Sequence, residues 1–250
     1  MTSRRSSRST AFMASPVDKS PDRVRRMFGE IARRYDFLNH FLSLGIDRRW
    51  RRRTVRLVAP SDVGPILDVC TGTGDLALAY WRASGGRAFV VGADFCRPML
   101  EVGRAKADRA GAAGRVALLE ADAQRLPFGD GVFSIVGVAF GLRNVSDTDR
   151  GLRELVRVCR PGGRVAVLEF ALPEARWLRW LYRGYFRGVL PRIGQALARN
   201  RQGAYNYLPA SVGEFAQREA LAERMRSVGL RDVRFYPFTF GIAILYVGTK

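Results

Sequence analysis

The stretch Pro65-Ile-Leu-Asp-Val-Cys-Thr-Gly-Thr-Gly-Asp75 constrains the fold of this chain more than any other. Ile66, Leu67 and Val69 are the apolar residues of a buried strand. Gly72 and Gly74 permit a tight turn whose backbone comes close to a ligand. Leu76 to Tyr80 supply apolar residues for a helix packed on the sheet. Roughly twenty residues after Gly74, the run Ala88-Phe-Val-Val91 ends in Gly92-Ala93-Asp94. An acid closing the second strand, beside a glycine turn after the first, is the geometry that grips a ribose.

Two nucleoside cofactors compete for that geometry. A dinucleotide site reads G-x-G-x-x-G, and the run here is Gly72-Thr-Gly74-Asp-Leu-Ala77. Asp75 is a poor neighbour for a pyrophosphate at a helix N-terminus. Asp68 and Asp75 favour a ligand that carries positive charge, which is S-adenosylmethionine rather than NAD.

A chain of 250 residues fits one α/β domain with a full core. No apolar run approaches the ~20 residues that span a bilayer. Cys70, Cys96 and Cys159 lack metal-ligand spacing and suit a reducing compartment. With His40 the only histidine, no metal site is expected. The net charge of +19 is unevenly placed. Residues 1–60 hold 15 Lys/Arg against 5 Asp/Glu, and residues 171–204 hold 7 against 1. These two segments suit an anionic surface, either a membrane leaflet or nucleic acid, while a solubilising arginine surface is the bland alternative.

Residues 1–20 read as a disordered basic tail, although an organelle transit peptide has similar composition. Residues 21–60 read as helices that can close over the site as a lid. Within them, Asp47 is read as a cap of the basic helix. Residues 61–170 form the cofactor-binding core in βαβ order. Its strands are expected at 65–70, 87–94, 116–120, 132–140 and 164–170. A helix is expected near 147–159, stopping at the turn Arg160-Pro-Gly-Gly163. Residues 171–204 interleave Trp177, Trp180, Tyr182 and Tyr185 with arginines, the composition of an interfacial amphipathic helix. Residues 205–250 give a helix near 214–227 and two closing strands. The fold class is therefore α/β, with residues 21–250 forming a single domain.

Several motifs are more specific than the glycine turn. They are Tyr35-Asp36-x-x-Asn39-x-x-x-Ser43-x-Gly45-x-x-x-x-Trp50, Asp122-Ala123 with Leu126-Pro-Phe128, Gly141-Leu-Arg-Asn-Val145, Pro161-Gly-Gly163 with Leu168-Glu-Phe170, Leu190-Pro-x-x-Gly194, and Tyr207-Leu with Ser211. Together they resemble the ubiquinone/menaquinone biosynthesis C-methyltransferase family over roughly residues 24–249. Asp47 departs from the pattern, since many members carry histidine there. Ala139 departs too, where some members place a small hydroxyl residue near the cofactor.

The resemblance implies a class I S-adenosylmethionine-dependent methyltransferase: a Rossmann-like seven-stranded sheet, an N-terminal helical lid and a helical insertion after strand five. It implies a polyprenylated quinol as acceptor, with 2-demethylmenaquinol favoured over 2-methoxy-6-polyprenyl-1,4-benzoquinol. It places the protein in the cytoplasm, at the inner face of the membrane; a homodimer is left open. Asp94 is expected on the ribose hydroxyls, and Gly72, Thr73 and Gly74 on the methionine part. Asp122 and Ala123 belong at the adenine edge, unless Asp122 only forms a turn, and Ala139 lies beside the cofactor. Asp68 either reaches the cofactor through water or braces the glycine turn. Arg143 and Asn144 end strand four, where open α/β sheets place their chemistry. Arg143 stabilises the ring phenolate or forms a plain salt bridge. Asp36, Asn39 and Tyr35 close over the substrate or form a capping network. Tyr205 and Tyr207 are substrate candidates or packing residues.

A nucleic-acid methyltransferase is the rival reading of the charge. It predicts a motif such as Asn-Pro-Pro-Tyr after strand four, where this chain has Phe140-Gly-Leu-Arg-Asn144. A lipid-surface protein without catalysis would tolerate a degraded glycine turn, and this one is intact.

Overall fold

Short, mostly apolar runs covered by helices on both faces suit a parallel sheet, and five parallel strands are built around them here. They are β1 (Ile66–Val69), β2 (Val90–Asp94), β3 (Val116–Glu120), β4 (Phe133–Ala139) and β5 (Cys159–Phe170). The computed structural model describes residues 18–60, 64–184 and 204–250. Two further strands, β6 (Arg231–Phe238) and β7 (Ala243–Thr249), complete a seven-stranded sheet of order β3-β2-β1-β4-β5-β7-β6. The β5–β7 and β6–β7 pairs are antiparallel. The expected α/β sheet is therefore present.

The helices are α1 (Pro21–Leu42), α2 (Ile46–Leu57), α3 (Asp75–Ala83), α4 (Arg97–Arg109), α5 (Thr148–Val158), α6 (Arg176–Gly184), α7 (Ala204–Glu214) and α8 (Glu219–Ser227). Successive strand residues face opposite sides of the sheet. Leu67, Val136 and Val138 pack towards Leu152 of α5 and Leu221 of α8. Ile66, Val90 and Ile135 pack towards Tyr80 of α3 and Val55 of α2.

Three local expectations differ from what is found. The segment Arg160 to Gly163 is no turn after a helix. It is a bulge inside β5, where the pairing with β4 jumps from Phe133–Cys159 to Ile135–Arg164 and Gly162 takes φ 72°. The helix expected near 214–227 begins only at Glu219, after Arg218 adopts φ 55°, and residues 204–214 before it form a separate helix, α7, that the sequence pattern does not announce. Asp47 does not cap α2, whose N-cap is Gly45 in the left-handed region. The basic tail at 1–17 and most of the 171–204 insertion, from 185 to 203, lie outside the described residues.

The sheet positions the site through its order. From β1 the chain winds outward through β2 and β3, then returns to place β4 on the other side of β1. The crevice at the carboxyl ends of β1 and β4 is the switch point of such a sheet. Both strands leave it strained: Cys70 has φ 52° and Phe140 φ 59°. Non-glycine residues in that region cluster at functional sites. Gly141 follows, and a Cβ there would lie 2.3 Å from Cys70 Cβ. The two chain ends thus cross so closely that only glycine fits.

Gly141→Ala is expected to destabilise the fold by about 3 kcal/mol, the upper end of overpacking costs. Chemical denaturation measures it; a loss below ~0.5 kcal/mol would contradict the tight crossing.

Candidate active site

A cavity of about 290 Å³ opens along the carboxyl ends of β3, β2, β1 and β4, with α1 as its outer wall. It is lined by Gly72, Asp94, Phe95, Met99, Asp122 and Ala123, and also by Phe28, Tyr35, Ala139, Phe140, Gly141 and Asn144, with Lys19 just before α1. Phe28 and Tyr35 of α1 pack beside Phe95 and Met99.

The glycine turn is built from its own side chains. Gly72 and Gly74 take φ 55° and 78°, which brings the backbone N–H groups round the turn. Asp94 fixes it from β2: Oδ2 accepts from Gly72 N at 2.8 Å and Oδ1 from Cys96 N at 2.9 Å. Burial pushes the Asp94 carboxyl up to about 6. The Phe95 backbone N–H donates to it as well, so three of the carboxylate's roughly four lone-pair sites are used and one is left for a ligand hydroxyl.

Asp68 does not line the cavity. Its Oδ2 accepts from Thr71 Oγ1 at 2.6 Å and from Ala77 N at 3.0 Å. It therefore braces the turn, the second of its two sequence readings. Oδ1 is buried without a partner among the described residues, and burial raises the carboxyl to about 7.

Thr73 and Asp75 also turn away from the cavity. Lys106 of α4 donates to Asp36 Oδ2 at 2.7 Å, Asp75 Oδ1 at 2.5 Å and Thr73 Oγ1 at 3.1 Å. Thr73 Oγ1 in turn donates to Asp36 Oδ1 at 2.5 Å. Three contacts use all three donors of one ammonium group. Burial raises Asp75, but Arg51 and Lys106 outweigh it and hold the carboxyl below its usual range. The positive charge that Asp75 attracts is thus the protein's own, rather than a ligand's. The network continues from Arg51 to Asp47 at 2.6 Å and from Asp47 to His40 at 2.7 Å and Ser43 at 2.7 Å. His40, Asp47 and Asp75 bring ligand atoms within 4.8 Å of one another, but Arg51 and Lys106 already hold those carboxylates.

Asp36 is accordingly a latch between α1 and the glycine turn, and it does not reach the cavity. Tyr35, one residue earlier, points the other way into it and is hydrogen-bonded by Asn39. Burial raises the Tyr35 phenol.

At the β4 end, Arg143 is buried. Its Nη1 donates to Glu169 Oε2 at 2.8 Å and to Phe140 O at 2.5 Å, and its backbone N–H donates to Glu169 Oε1 at 3.1 Å. The pair pins the turn after β4 to the end of β5. Asn144 lines the cavity, and its buried Oδ1 has no protein partner among the described residues. Tyr207 of α7 packs on Met27 and Ile31 of α1 and does not line the cavity. Tyr205 also lies on α7, but its side chain is outside the described residues.

Sequence reasoning missed Lys19, Lys106 and Glu169. A signal was present for the first two. Among 42 basic residues only three are lysines: Lys19, Lys106 and Lys250. Each sits where a compact ammonium is used, Lys250 donating to the carbonyls of Arg157 and Cys159.

The profile of the ubiE/COQ5 methyltransferase family matches residues 17–250. The chain belongs to this family. A demethylmenaquinone methyltransferase from Thermus thermophilus is 50% identical, covering 90% of this chain and 100% of that one. A ubiquinone/menaquinone biosynthesis C-methyltransferase from Geobacter sp. (strain M21) is 46% identical, covering 94% and 99%. A solved S-adenosylmethionine-dependent methyltransferase from Aquifex aeolicus has the same fold, with a TM-score of 0.58 at 17% identity over 79% of this chain and 88% of that one.

The enzyme is an S-adenosylmethionine-dependent methyltransferase, and its cavity fits that cofactor. Gly72 lines the cavity and would leave room for the methionine part, while Gly74 shapes the turn without lining it. Asp94 would face the ribose, and Phe95, Met99 and Ala123 would offer apolar faces to adenine. When bound, the cofactor supplies an electrophilic methyl group.

A carboxyl raised by burial holds a proton in the folded chain that the unfolded chain has already released. Asp68 therefore makes stability fall as pH rises from about 4 to about 7, at up to ~1.4 kcal/mol per pH unit. Asp68→Asn is expected to flatten that slope in cofactor-free protein. Denaturation at several pH values checks it; an unchanged slope would refute the assignment.

Proposed function

We propose that this methyltransferase acts on a ring carbon of 2-demethylmenaquinol, giving menaquinol. The observation that carries the reading is one cavity lined both by the Asp94 carboxylate, which suits a ribose, and by the rings of Phe28, Tyr35 and Phe140, which suit a flat ring. The name of the Thermus relative supports the naphthoquinol. The Geobacter name covers ubiquinone synthesis as well, so 2-methoxy-6-polyprenyl-1,4-benzoquinol is the second reading.

A ring carbon becomes a good nucleophile when the adjacent hydroxyl gives up its proton. A phenol has pKa ~10, so the site must favour the phenolate. Lys19 supplies a cation at the cavity wall, and burial lowers its pKa. Asn144 offers an amide to the ring hydroxyls, and Phe140 and Tyr35 hold the ring plane. Arg143 positions this wall: its pairing with Glu169 sets the turn that carries Asn144. What remains is alignment of ring carbon and methyl donor, which is a positioning task.

A prenylated acceptor keeps its tail in lipid, which supports reading the enzyme as a peripheral protein at the cytoplasmic face of the membrane. No described helix is long and apolar enough to cross a bilayer. On α6, Trp177 and Trp180 are 70% and 77% exposed, and exposed tryptophans favour the headgroup region.

The test is incubation with methyl-labelled S-adenosylmethionine and demethylmenaquinol in detergent. Label is expected in the quinone, and Lys19→Met is expected to cut turnover at least ~100-fold with cofactor affinity unchanged. Label found only with the benzoquinol would favour the second reading. No label in either, with cofactor binding confirmed, would refute both.

A further inference from the structure

Back to back with the catalytic cavity, across α1, lies a groove of about 1390 Å³ between the α1–α2 hairpin and helices α3 and α4. We propose that it is a binding site for the phosphate head groups of anionic phospholipids in a bilayer. The proposal rests on the membrane-surface reading above and names the site that performs the contact.

Every wall of the groove contributes cations. Arg48, Arg52 and Arg56 recur every fourth residue of α2 and share one face. Arg33 comes from α1, Arg82 from α3 and Arg109 from α4. The two carboxylates in the groove, Asp36 and Asp75, are already committed to Lys106 and Arg51. Among the described residues, none of these six arginines has a carboxylate within ion-pair distance. The groove therefore presents uncompensated guanidinium groups, whose paired donors match phosphate oxygens.

The apolar features decide between a solvated basic face and a lipid site. Beside the ion-paired Asp36, Asp75 and Lys106, the lining includes the apolar side chains Val55, Leu78 and Val102. Phe37 lines the rim, 61% exposed, and stacks on Phe41, 50% exposed, with ring centroids 5.8 Å apart. Leu44, in the turn to α2, is 86% exposed. Three large apolar side chains in water beside a ring of arginines form the two-layer pattern of an interfacial element: guanidinium groups at the phosphates, aromatic and aliphatic groups below them.

The experiment is vesicle co-sedimentation of the full chain, using phosphatidylcholine vesicles with and without phosphatidylglycerol. Binding is expected only with phosphatidylglycerol, and it weakens as salt rises. The triple variant Arg48→Gln/Arg52→Gln/Arg56→Gln changes exposed helix positions only. It is expected to keep its circular dichroism and cofactor binding and to lose roughly a hundredfold in vesicle affinity. Phe37→Ser/Phe41→Ser is expected to lose affinity while retaining the salt dependence. Three results would overturn the site. Failure of the wild-type chain to bind either vesicle removes the membrane reading with it. Unchanged binding by the triple variant, with loss in Trp177→Ala/Trp180→Ala, moves the contact to α6. Tighter binding to an RNA oligonucleotide through the same arginines makes the partner nucleic acid.

Discussion

One ammonium group ties the lid to the core. Lys106 joins Asp36 of α1, Asp75 at the start of α3 and Thr73 of the glycine turn. Buried ion pairs contribute little net stability, because desolvation offsets their attraction. Their value here is geometric. Apolar packing of Val24, Met27, Ile31 and Leu38 holds α1 on the core without direction, and the bond of Asp36 to the glycine turn fixes its register. Tyr35 and Phe28 then form the cavity wall at a set distance from Asp94 and Gly72. Arg51, Asp47 and His40 extend the same constraint to the α1–α2 turn.

A second pair does the same at the β4 end. Arg143 and Glu169 join the turn after β4 to the end of β5. Removing either partner would strand a buried charge, at a cost of about 3–5 kcal/mol. Arg143 therefore holds the turn after β4 in place, and Asn144 is the member of that turn that lines the cavity with Gly141. The two strained exits, Cys70 and Phe140, are held in place between these networks.

The sheet was legible because apolar runs bounded by glycine and proline have few other uses, and strand β3 falls where periodicity placed it, at 116–120. The segment Arg160–Gly163 was misread because Pro-Gly-Gly signals a turn, while a bulge in a central strand uses the same residues. Residues defined by their own motif, such as Asp94, Ala123 and Asn144, were found at the cavity. Asp36, Thr73 and Asp75, candidates for ligand contact in the sequence, are instead joined to one another through Lys106, which for Asp36 is closer to its alternative reading as part of a helix-end network. Their partner Lys106 lies 31 or more residues further along the chain, and no local pattern announces such a pairing. The scarcity of lysine in an arginine-rich chain was the only trace of it.

The central claim is that a contact outside the cavity holds the cofactor site in shape. Titration calorimetry of S-adenosylmethionine with Lys106→Met tests it directly. The account predicts at least ~10-fold weaker binding, although Lys106 does not line the cavity. Affinity equal to that of the unaltered chain, with the fold intact, would contradict it.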